Sequence, residues 1–252
     1  MKPHRFKDDD FLCETCGYIL SGLRQTDNCP ECGTPISKSH PDQRVGSPWQ
    51  QNGATPATIK AVLIHPGRVF ETVKPDLEQS RELKHLCIFG AGLATSLAIV
   101  LVYFGQSTLH DRSGNLNLVA AIVVAQLMLF GIPVSLILWL LTAIEQRGIR
   151  VFGRLNNRRI TPAVAESIVA HAAAAWFTVP VLMLLFWLLG LLIKTLAERF
   201  AWAMWEITLT APYWSPYLGA FIGMLWFELI VWTGVRRMRF ANPPGVAGRV
   251  YQ

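Results

Sequence analysis

Four cysteines stand in two matched pairs near the start of the chain: Cys13 and Cys16 followed by Gly17, then Cys29 and Cys32 followed by Gly33. Two thiols three residues apart can hold one metal ion from a tight turn, and the glycine behind the second supplies the backbone freedom that turn needs. Twelve residues separate the pairs, enough for a short hairpin that brings them together. Four thiolates close a tetrahedral site with no open position. That is the chemistry of one structural Zn2+ per chain, which supplies folding energy to a segment too small for its own core. Iron in the same cage would make a rubredoxin-like carrier. A redox CxxC would need a βαβ context that is absent here. The expected zinc ribbon is residues 1–36. With four Lys/Arg against six Asp/Glu it lacks the electrostatic footprint of a nucleic-acid binder, so the expectation is a protein partner or a purely structural role, and no nucleic acid.

A second group of reactive side chains lies where ionisable groups are expensive. Pro162 to Ile193 is an apolar run whose only ionisable members are Glu166 and His171, and Glu228 sits inside another such run. Groups of this kind face protein or water rather than lipid. Ser167, His171 and Thr178 share one helix side with Ala174 and Ala175 between them, a narrow and weakly polar seam. Three readings stay open: interhelical hydrogen bonding, a proton- or ion-handling cluster, and a second metal site. No metalloprotease, nucleophile-elbow, phosphate-loop or EF-hand pattern is present, so no catalytic residue is nominated and the expected protein is not an enzyme.

The elements that must position these groups follow from hydropathy. The chain has 252 residues, 52% hydrophobic and only 16% charged, with a mean hydropathy of +0.32. Soluble domains carry about 25% charged residues. A run of about 20 apolar residues crosses a bilayer core. Four runs qualify, at about 86–105, 118–144, 163–193 and 216–235, within a bundle expected over 86–240. Residues 37–57, rich in Ser, Pro, Gly, Gln and Asn, read as a flexible linker. Residues 58–85 read as two short amphipathic helices at the membrane interface, with Val69, Phe70 and Val73 on one face. The alternative is a cytoplasmic helix packed on the ribbon. Residues 241–252 read as a cytoplasmic tail.

Charge then sets the threading. The net charge is +6, yet the first 85 residues hold eleven basic and eleven acidic side chains, so the excess lies among and after the spans. Glu145 to Ala165 has five arginines against one glutamate, and Arg236, Arg237 and Arg239 follow the last run. Basic loops stay inside. Trp202, Trp205 and Trp214 read as an interfacial belt on the far side. The first residues have no apolar h-region, so the first span is expected to start insertion. The expected protein is a multi-pass, all-α protein of the bacterial inner membrane with both termini cytoplasmic.

Residues Thr58 to Phe70, with Pro66 and Phe70 on a small helix before the first span, resemble the bacterial Yip domain family. Phe152, Gly153 and Arg154 through Thr161, and His171 to Pro180, resemble that family's basic loop and its helix with a mid-membrane proline. The resemblance runs from about Thr58 to Arg237 and implies a polytopic bundle, usually of five spans where four are counted here. The Asp-Leu-x-Gly-Pro motif of the eukaryotic members is missing, so GTPase-partner binding is not implied. Two functions are expected from the whole: a non-enzymatic scaffold or adaptor contacting protein through its ribbon and open to homo-oligomerisation, or a small channel or transporter using Glu166, His171 and Glu228.

Overall fold

The computed structural model describes residues 7–108, 116–156, 158–200 and 205–246. Among these residues eight α-helices follow the ribbon: α1 (Pro48–Asn52), α2 (Thr55–Ile64), α3 (Pro66–Thr72), α4 (Leu77–Thr108), α5 (Leu116–Leu155), α6 (Pro162–Ala172), α7 (Thr178–Phe200) and α8 (Trp205–Arg237). The protein is all-α apart from two isolated antiparallel bridges in the ribbon, Leu12 with Ile19 and Asn28 with Pro35.

Four helical segments are long and apolar enough to cross a membrane: Leu77–Tyr103, Val124–Leu155, Pro162–Arg199 and Thr210–Arg237. In the α5 segment only 22% of the most apolar window is buried, and Ile132, Leu136 and Leu140 are exposed. Water penalises such a surface, whereas hydrocarbon is its natural solvent. This is a membrane protein. Each helix outlasts its apolar run, because charged ends such as Glu78, Arg81 and Glu82 on α4 lie where water can solvate them while the backbone continues to hydrogen-bond.

The third span is not one helix. Ala173–Phe177 winds as a 3₁₀ segment between α6 and α7. Pro180 explains the break: proline cannot donate to the carbonyl four residues back, so the α-helix ends and restarts at Thr178, placing Pro180 in a first turn where no donor is needed. The Thr178 hydroxyl is spent on the Ala175 carbonyl, 2.7 Å away.

The chain forms two compact units: Met1–Leu86 with Leu141–Ala174 and Leu229–Gln252, and Cys87–Leu140 with Ala175–Glu228. The second unit is packed through small residues. A Cβ on Gly219 would lie 2.4 Å from the Leu182 carbonyl oxygen, one on Gly223 2.9 Å from Val179 Cα, and one on Gly92 2.9 Å from Ser135 Cα. Without a hydrophobic driving force between helices in lipid, this backbone proximity is a main source of attraction. Trp176 stacks on Phe227 with centroids 4.2 Å apart.

The first unit corrects three boundaries. Residues 37–57, expected as a flexible linker, are built: 3₁₀ turns at Ile36–Ser39 and Pro41–Gln43 lead into α1, which Ser47 and Gln50 cap reciprocally. Ser47 is a cap and Pro41, Pro48 and Pro56 are first-turn residues, not slack. Residues 58–85, expected at the membrane interface, turn Val69, Phe70 and Val73 into protein, all three buried, and α4 already begins at Leu77. A Cβ on Gly234 would meet the Phe70 ring at 3.0 Å, so α8 carries a glycine where Phe70 packs. Finally, residues 241–246 are no free tail: Ala241, Asn242 and Val246 are buried. Residues 247–252 and Trp202 lie outside the described residues, as does the side chain of Trp205.

Candidate metal centre

Each half of the ribbon is the same turn made twice. The Gly17 N–H donates to the Cys13 carbonyl at 2.8 Å and the Gly33 N–H to the Cys29 carbonyl at 2.9 Å. The Cys13 and Cys29 N–H groups donate in turn to the carbonyls of Tyr18 and Thr34, both at 2.8 Å. Gly17 and Gly33 hold positive φ, 83° and 70°, the left-handed region that other residues avoid. The two turns face each other across a small core of Phe11, Leu20, Ile36 and Val246, and Val246 comes from the far end of the chain.

This places the four predicted ligands together. Cys13 Sγ lies 3.6 Å from Cys32 Sγ, Cys16 Sγ lies 3.6 Å from Cys29 Sγ, and all four sulfurs fall within 4.8 Å of one another. Sulfurs each bonded about 2.3 Å from a tetrahedral centre stand about 3.8 Å apart. The spacing fits one metal ion and is too long for a disulfide, which needs about 2.05 Å. The thiols differ. Burial raises Cys13 and pushes Cys16 up to about 12, while hydrogen bonding from Thr34 draws Cys32 down to about 6. A cation bound by all four sulfurs would take the place of the thiol protons.

The supports of the cage are residues that composition did not single out. Asn242, fully buried, donates from Nδ2 to the carbonyls of Leu12 (2.7 Å) and Ser39 (2.8 Å) and accepts at Oδ1 from the Leu12 N–H (3.1 Å) and Arg159 Nη2 (2.7 Å). Arg159, read above only as a topology charge, also reaches the carbonyls of Asp10 and Ala241. Burial lowers its guanidinium to about 10, against the pull of Asp10, Asp8, Glu14 and Asp9. Arg44, inside the supposed linker, makes a two-pronged contact with Glu14 (Nε to Oε1 3.1 Å, Nη2 to Oε2 2.9 Å). Its other prong donates to the Phe70 and Val73 carbonyls at the end of α3, both at 3.0 Å, where a cation also meets the helix dipole favourably. Phe240 covers Gly17 so closely that a Cβ there would meet its ring at 2.7 Å. The first knuckle is thus docked on the protein, whereas Pro30, Glu31, Cys32 and Gly33 of the second are exposed.

The predicted intramembrane residues separate. Glu166 and His171 are buried in the first unit and both have partners. Glu166 is ion-paired with Lys84 and accepts from Gln146 Nε2 at 2.5 Å. His171 Nδ1 lies 2.8 Å from the Ser167 carbonyl, which can only accept, so Nδ1 carries the hydrogen and Nε2 accepts from the Ser47 hydroxyl at 2.9 Å. Ser80 and Ser167 add a hydroxyl pair at 2.9 Å. Glu228 belongs to the second unit, exposed on α8, and is no part of this cluster. Lys84 and Gln146 carried no local signal, because each pairs with Glu166 only through the tertiary fold. No family model matches the sequence, and no curated protein and no solved structure is found to match it.

Proposed function

We propose that the protein is a non-enzymatic scaffold of the bacterial inner membrane: a Yip-like bundle of four spans whose zinc ribbon is clamped to its cytoplasmic face and offers one knuckle to a protein partner. The observation that carries this reading is the asymmetry of the ribbon. Two equivalent knuckles hold the cage, the first buried under Phe240 and tied down through Glu14 and Asn242, the second free. A docked module with an unused copy of its docking turn is suited to bridging the membrane anchor and a second protein. Zinc is favoured as the resident ion because four thiolates form a closed, soft, tetrahedral set. The arginines of 145–165 and of 236–239 support a cytoplasmic ribbon. The burial of Phe70 under Gly234, with its ring edge-on to His171 at 6.3 Å, supports the Yip-like reading, since Phe70 is the aromatic of that family's short helix.

Metal analysis of the purified full-length protein should find one zinc per chain. Affinity capture from membranes should then recover a partner with wild type that is lost with a Glu31→Arg variant, which alters the exposed second knuckle and leaves the cysteines alone. Identical capture by both proteins refutes the docking role, and iron in place of zinc refutes the scaffold.

A further inference from the structure

The second unit holds a cavity of about 750 Å³ between α4, α5, α7 and α8. That is within the range of about 300–1,000 Å³ typical of small-molecule sites. Its walls are apolar, among them Ile99, Phe130, Val179 and Met183, and among the described residues no Asp, Glu, Lys, Arg or His lines it. Ions and protons find no partner there.

Its polar groups are few and specific. The Thr95 hydroxyl is already spent on the Ala91 carbonyl at 2.7 Å. The Tyr103 and Tyr217 hydroxyls pair at 3.3 Å, and both rings are exposed, so they form a rim. Gln126 also lines the cavity, and its Oε1 is buried with no hydrogen-bond partner among the described residues. A buried amide oxygen with no donor is costly and calls for an explanation. Acyl chains cannot supply one, because hydrocarbon carries no hydrogen-bond donor.

We propose that this cavity is a binding site for a neutral amphiphile, a single long hydrocarbon chain bearing a hydroxyl head, with the chain against Met183 and Val179 and the hydroxyl donating to Gln126 Oε1 beside the tyrosine pair. A charged headgroup is disfavoured, since it would sit in an apolar lining without a counter-charge. The site is independent of the ribbon reading, because every residue named lies in the second unit.

The test uses full-length protein in nanodiscs and a monoacylglycerol with a photoreactive acyl chain. Labelling should saturate, map to residues lining the cavity, and be competed by unlabelled monoacylglycerol but not by phosphatidylglycerol. Met183→Trp, which narrows the cavity at the wall assigned to the chain, should weaken saturable labelling. Gln126→Leu, which replaces the amide with an apolar group, should weaken binding about fivefold, the value of one hydrogen bond, while thermal unfolding shows the variant folded. Non-saturable labelling that is unchanged by Met183→Trp would reduce the cavity to ordinary lipid contact and overturn the proposal. Equal competition by phosphatidylglycerol would overturn the neutral head, and an unchanged affinity in Gln126→Leu would overturn the role of that amide.

Discussion

At the scale of single residues, the side chains that hold the first unit together are polar and buried, which makes their loss expensive. Asn242→Ala removes four hydrogen bonds and leaves the Leu12 N–H and the Arg159 guanidinium short of partners. Destabilisation of roughly 2–4 kcal/mol is expected, read as faster zinc loss to a chelator and as new protease cleavage within the ribbon. Wild-type metal retention in that variant would show that Asn242 is a bystander. The Lys84–Glu166 pair makes a different prediction. Glu166→Leu alone strands a buried ammonium and should cost about 3–5 kcal/mol. Lys84→Met with Glu166→Leu removes both charges and should recover most of that loss in thermal unfolding in detergent. A double variant as unstable as the single one would mean that the pair is not what holds Glu166. Which of these residues the sequence reveals depends on distance along the chain. The cysteines declare their chemistry locally, because a knuckle needs only three residues and a glycine. Asn242 and Leu12 are 230 positions apart, and Arg159 and Asn242 are 83 apart, so neither contact leaves a local pattern. Arg159 reads in the sequence only as one arginine of a basic loop, and the structure adds a buried hydrogen-bond network that no local pattern announces.

At the scale of elements, hydropathy located the spans because lipid imposes a length of about 20 apolar residues whatever the fold. It misjudged what lies beside them. Ser47, Pro48 and Gln50 look like linker composition, yet these residue types are also those of a capped helix start, and only the burial of Arg44 and Ser47 decides between the two. The helix–helix contacts are testable through glycine. Gly219→Ala would drive a methyl group to 2.4 Å from the Leu182 carbonyl oxygen, backbone that cannot rotate away. A loss of about 3 kcal/mol is expected from overpacking of this kind. Gly148 on α5 has nothing within 4 Å of its missing Cβ, so Gly148→Ala should gain about 0.5–1 kcal/mol from helix propensity alone. Opposite shifts in unfolding temperature for two identical substitutions would establish close packing at α8. Shifts of the same sign would mean that α8 and α7 do not meet at Gly219.

At the scale of the whole molecule, the ribbon constrains the threading more strongly than arginine counting does. Leu12 and Asn242 share hydrogen bonds, and Val246 lies in the ribbon core with Phe11 and Leu20. Two segments that pack together occupy one side of a membrane, so the chain between them must cross an even number of times. Four spans satisfy this and the five usual in the Yip family do not. Reporter fusions before Met1, after Gln252 and within the basic segment 145–165 should therefore all report the same side, and a reporter within 106–117 the other. The arginines predict that the shared side is the cytoplasm. The two statements fail separately. If all three fusions reported from outside, the charge argument would be wrong and the packing argument intact. If the two terminal fusions reported opposite sides, the hydrogen bonds of Asn242 could not form, and the docked ribbon would fall with them. Loss of the proposed metal ligands sharpens the contrast: a Cys13→Ser, Cys32→Ser variant should expose the ribbon to protease while leaving every fusion on its original side, because the cysteine cluster lies in the ribbon and the bilayer holds the spans.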